Sequence, residues 1–164
     1  MKKIFAMLAA ILLCGSMMVS CNKDDNTPTT PTTNNPTKAD MVGTWEGSFQ
    51  GNTTIENVAK DYTIQWVLTL NAEGSNTVGS LKYNATINGY EDLAHEVVVN
   101  DYYVRQNTDI GRICLTGNHP AGILEDMIDF DIDLNAKTLK GTLMVHTGGE
   151  DGVTIGGATT LNKK

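Results

Sequence analysis

The acidic run Asp126-Met127-Ile128-Asp129-Phe130-Asp131-Ile132-Asp133 is the stretch whose residue types most invite chemistry. Carboxylates at alternate positions are the ligand pattern of a calcium loop, which also needs a glycine at its sixth place to turn. Counted from Asp129 that place is Leu134, and the residues between the acids are apolar. On an extended strand Asp129, Asp131 and Asp133 share one face, ~6.6 Å apart for alternate residues. The run therefore reads as the wet outer face of a strand, and its charges discourage edge-to-edge pairing. His95, His119 and His146 stand at no metal-ligand spacing, so no metal is expected. Cys114 lies between Ile113 and Leu115 and reads as a small buried hydrophobe. A reactive thiol would want a helix N-terminus or several cations, and only Arg112 is near. There is no Gly-x-Ser-x-Gly, no phosphate loop and no pair of carboxylates flanked by aromatics. The chain is expected to be a binding protein with no cofactor, not an enzyme.

Binding chemistry is carried instead by aromatic residues at strand spacing. Tyr62, Trp66, Tyr83 and Phe130 fall on the apolar side of alternating segments. Two readings of that face stand together. It lines a pocket for a small apolar or amphipathic molecule, or it fills a core.

The elements that must position these residues follow from period-two alternation. Tyr62, Ile64, Trp66, Leu68 and Leu70 point one way, with Thr63, Gln65, Val67 and Thr69 opposite. Leu81, Tyr83, Ala85 and Ile87 repeat the pattern, as do Ile128, Phe130, Ile132 and Leu134, then Leu139, Leu143 and Val145. One wet face and one dry face is the mark of antiparallel strands. Eight strands are predicted: 42–50, 61–71, 77–87, 95–105, 110–116, 127–134, 138–146 and 153–161. Turn chemistry at Asn71–Gly74, Asn88-Gly89, Asn135–Lys137 and Gly148–Gly152 gives short links between successive strands. The fold class expected is all-β, an eight-stranded antiparallel up-and-down barrel, with an open sandwich as its rival.

Val42-Gly43-Thr44-Trp45 opens the first strand. A Gly-x-Trp there, in an acidic eight-stranded domain, resembles the lipocalin and calycin superfamily. The resemblance implies that Trp45 closes one end of the barrel and that Gly43 lets the backbone bend around it. It covers the fold of residues 40–164, although its motif is three residues long. The last predicted strand, 153–161, departs from the family by lacking the arginine that packs on the tryptophan.

The other end of the chain has a different logic. Residues 1–20 follow an export layout: Lys2 and Lys3, then an apolar run from Ile4 to Leu13 too short to span a bilayer. Met18-Val19-Ser20-Cys21 resembles the lipobox of bacterial lipoproteins. The resemblance implies cleavage before Cys21 and acylation of its thiol, with the membrane as the partner. Two or three acyl chains, each buried methylene contributing ~0.8 kcal/mol, make an effectively permanent anchor. Lys23-Asp24-Asp25 resembles the sorting signal of surface lipoproteins of some Gram-negative gut anaerobes, which implies the outer face of the outer membrane, the periplasmic face being the alternative. Residues 21–39 read as a linker. Its Asn26–Lys38 stretch is rich in Thr, Pro and Asn and has nothing apolar to bury. At ~3.1 Å per residue it would hold the domain ~40 Å from the membrane.

Charge excludes one further class. The chain carries a net −7. Without Lys2 and Lys3, ten basic residues face nineteen acidic ones, −9. No basic cluster compensates, so nucleic acid is not an expected partner. Two functions are expected from the whole: a lipid-anchored barrel holding a small apolar or amphipathic ligand, or a filled barrel whose loops bind or inhibit a partner protein.

Overall fold

The computed structural model describes residues 35–90, 93–116, 122–147 and 152–164. Leader residues 1–20, Cys21, the linker to residue 34, His119-Pro120 and the Gly148–Asp151 turn lie outside them. The described residues form an all-β, closed, up-and-down barrel of eight antiparallel strands. In chain order they are β1 (Gly43–Ile55), β2 (Val58–Leu70), β3 (Gly79–Ile87), β4 (Leu93–Val104), β5 (Ile110–Leu115), β6 (Met127–Asp133), β7 (Thr138–His146) and β8 (Thr154–Lys163). Each strand pairs with its neighbours in sequence, and β8 returns to β1. The architecture is consistent with a lipocalin-like fold.

Alternation is what drives the closure. Ile64, Trp66, Leu68, Leu81, Ala85, Ile113, Phe130, Leu139, Leu143 and Val145 are all buried on the inner face. Burying a large aliphatic or aromatic side chain contributes about 1.5–3 kcal/mol, so a one-residue slip in any ladder would forfeit several such contributions at once. Asp129, Asp131 and Asp133 face outward from β6 and are exposed. Asp129 there takes Arg105 at 2.7 Å and accepts both Nε and Nη2 of Arg112.

Three sequence expectations are corrected. First, Gly51–Lys60 is not a link between strands. The ladder of β1 and β2 runs unbroken to Ile55↔Val58, and only Glu56-Asn57 turn, at φ 51° and 62°. Two consecutive left-handed residues are the hairpin geometry that suits the twist of the flanking strands. Second, β8 continues past Leu161 to Lys163. Third, Cys114 is half-buried, not buried. Ile113 and Leu115 both point inward, so alternation turns the cysteine between them to the outer wall.

One end of the barrel is plugged. A single helical turn, α1 (Lys38–Met41), folds under it, held by Asp40, whose carboxylate accepts from the Thr37 N–H and hydroxyl. Met41 is fully buried and its side chain occupies the space that a Cβ on Gly111 would need. Trp45 is 1 % exposed, and its indole N–H donates to the Met41 carbonyl at 2.8 Å. Gly43, at φ 130°, starts the strand in a conformation that side chains rarely adopt. Lys163 of β8 lies over the Trp45 ring, with Nζ 5.0 Å from its centroid. The last residues of the expected linker, Thr37 to Ala39, belong to this plug.

Candidate functional site

The four aromatic residues singled out in the sequence are all buried inside the barrel: Tyr62 8 %, Trp66 1 %, Tyr83 4 % and Phe130 0 % exposed. They do not line one common pocket. Trp66 of β2 and Tyr83 of β3 are register partners, and their rings meet at 5.5 Å and 48°. Tyr83 is in turn the partner of His95 on β4, with ring centroids 5.6 Å apart. This ladder of rings runs from the deep core at Trp66 to an exposed residue at His95. Burial raises the Tyr83 phenol above its ordinary pKa.

Tyr62 belongs to a second group. It stacks on Phe49 at 6.1 Å and 25°, and its phenol oxygen accepts from the Gly156 N–H of β8 at 3.1 Å. Phe130 stands apart from both. It packs on Gly141, where a Cβ would come within 2.7 Å of its ring. Sequence reasoning missed His95 and Phe49 as members of these groups. The signal for Phe49 was present, since it continues the inward parity of Trp45 through Gly47.

Among the described residues two buried side-chain polar atoms have no partner. The Trp66 indole Nε1 is fully buried and meets no acceptor. A buried donor left unmade costs about 1–3 kcal/mol and calls for a structural reason. Thr138 Oγ1, at the start of β7, is likewise unpartnered. The Thr138 side chain is slightly exposed, at 8 %, whereas Trp66 is sealed.

The core around Trp66 is full. Ile64, Leu68, Leu81 and Ala85 are 0 % exposed, and a side chain at zero exposure touches no space a water molecule could occupy. Two depressions lie on the outer wall, and a third, of about 430 Å³, lies at the plugged end beside Trp45 and Lys163. One depression of about 400 Å³ lies over β2–β4, lined among others by Gln65, Val67, Lys82 and Ala94. Another of about 470 Å³ lies over the β1–β8 junction, lined by Ser48, Gln65, Thr160 and Asn162 among others. Among the described residues no three His, Cys, Asp or Glu side chains come together as metal ligands.

No family model, no curated protein and no solved structure matches this chain.

Proposed function

We propose that this chain is a lipoprotein, anchored through an acylated Cys21 on the outer membrane and facing the cell surface, whose barrel receives a small hydrophobic or amphipathic ligand. One observation carries the ligand reading: the buried, unpartnered Trp66 N–H beneath the Trp66–Tyr83 ring pair. A donor sealed in an apolar core gains most from an acceptor brought to it, because the low dielectric strengthens that bond. Since the core is full in the free protein, such a ligand must displace side chains to reach the donor. The role is binding, not catalysis.

A second reading is favoured by the same packing. Core side chains at zero exposure are those of a barrel that works from outside, and the two outer-wall depressions supply concave surface for a partner protein.

Native mass spectrometry of the purified chain against a lipid and metabolite library separates the two. The first reading expects a retained small molecule. A clean apo mass throughout would overturn it and leave the outer wall as the binding surface. For the anchor, Cys21→Ser is expected to release the protein from membranes. Continued retention would refute acylation, and a domain protected from protease on intact cells would refute the surface placement.

A further inference from the structure

The barrel is closed unevenly. On one side β1 pairs with β2 from Gly43↔Leu70 to Ile55↔Val58. On the other, among the described residues, its ladder with β8 consists of Trp45↔Lys163 and Glu46↔Asn162, followed by one bond from Lys164 N–H to the Thr44 carbonyl. Beyond Glu46 the two strands stay close without a ladder. A Cβ on Gly47 would lie 2.2 Å from the Thr160 carbonyl oxygen, so only a glycine lets the strands pass there.

Side chains hold the rest of the seam. The Tyr62 phenol reaches across β1 to accept the Gly156 N–H. The Phe49 ring lies on Gly157, where a Cβ would come within 2.8 Å of it. Gly51 leaves room for the Tyr62 phenol, which a Cβ would meet at 2.7 Å. Two stacked rings and one hydrogen bond thus do the work of a ladder. Rings leave by rotation about χ1 and χ2, whereas a ladder opens only by separating backbones. Trp66, which carries the orphan donor, is the register partner of Gly47 on the ladder next to the seam.

We propose that the β1–β8 seam is the door to the barrel interior, that Phe49 and Tyr62 are its latch, and that it admits a small apolar molecule with one hydrogen-bond acceptor, which Trp66 Nε1 receives. This rests on the ligand reading above. The size follows from the latch: a ring swung outward vacates about one aromatic ring of volume. The acceptor follows from Trp66, because an indole N–H is a donor only.

Two measurements on the full chain test the two halves separately. In the first, Tyr62→Phe keeps the ring and removes the acceptor of the Gly156 N–H. Amide exchange at Gly156 and along Ser48–Gln50 is expected to rise about threefold to tenfold, the worth of one hydrogen bond, with the β2–β3 ladder unchanged. No change, or a uniform rise across the barrel, overturns the latch. In the second, the wild-type chain is titrated with acetophenone and with ethylbenzene, matched in size but differing in the carbonyl. The Trp66 indole proton resonance is expected to move downfield with acetophenone alone. Equal shifts with both overturn the acceptor requirement. No shift with either, in a chain whose seam exchange responds to Tyr62→Phe, overturns the interior site and leaves the latch standing.

Discussion

Lys163 Nζ sits 5.0 Å from the centroid of the Trp45 ring and donates to the Asp40 carbonyl at 2.9 Å, so one ammonium joins the last strand, the first strand and the plug. Lys163→Met keeps the aliphatic stem and removes both interactions. It is expected to destabilise the barrel by about 1–2 kcal/mol, read from the midpoint of urea unfolding. Lys163→Arg should restore most of that loss, because a guanidinium serves both contacts.

Gly47→Ala tests the close passage of β1 over β8. The new methyl would meet the Thr160 carbonyl oxygen at 2.2 Å and Leu161 Cδ2 at 2.9 Å. The first obstacle is backbone and cannot rotate away. A loss of about 1–3 kcal/mol is expected from overpacking. Unfolding at wild-type denaturant concentration would show that the strands separate freely at this point.

Thr138→Val should run the other way. Its hydroxyl is buried without a partner and a methyl is close to isosteric. Removing an unpaired polar group and favouring the strand conformation predicts a change between neutral and about 1 kcal/mol more stable. A clear destabilisation in thermal unfolding would mean that the hydroxyl has a partner in solution.

Asp129 makes stability depend on pH. The Arg112 hydrogen bond holds its carboxyl below the ordinary range; burial opposes it, and the charges of Arg112 and Arg105 add smaller contributions in the same direction as the hydrogen bond. A carboxyl whose folded value lies below its unfolded value contributes stability above about pH 4 and loses it as pH falls through the folded value. The difference in urea midpoint between wild type and Asp129→Asn is therefore expected to be constant from pH 7 to 5 and to shrink below pH 4. The group is about half exposed, so added salt should reduce the effect. A difference that grows toward low pH would contradict this assignment.

Much of this barrel was legible in the alternation of its residues. The inward sets on β2, β3, β6 and β7 were readable because one face is wet and one dry, and β7 ended where the pattern ended. Gly43 and Trp45 were singled out because a Gly-x-Trp is a local signal. Cys114 was misread because apolar neighbours were taken as a sign of burial, while parity alone sends it outward. Gly51–Ile55 was misread because Gly, Asn and Thr have no inner face to bury, and their strand is imposed by pairing with β2.

The sequence by itself determined an all-β domain, because period-two alternation is set by residue type and local period; the export leader, lipobox cysteine and polar tether it leads one to expect fall, up to residue 34, outside the described residues. Tertiary structure decided the rest. Lys163 met Trp45, Tyr62 met Gly156 and Trp66 was left without an acceptor because of how eight strands close on one another. Those contacts join residues far apart in the chain, Tyr62 and Gly156 by 94 positions and Lys163 and Asp40 of the plug by 123, and no local period encodes which of them will touch. The register of the closing seam brings them together, and that register is a property of the whole barrel.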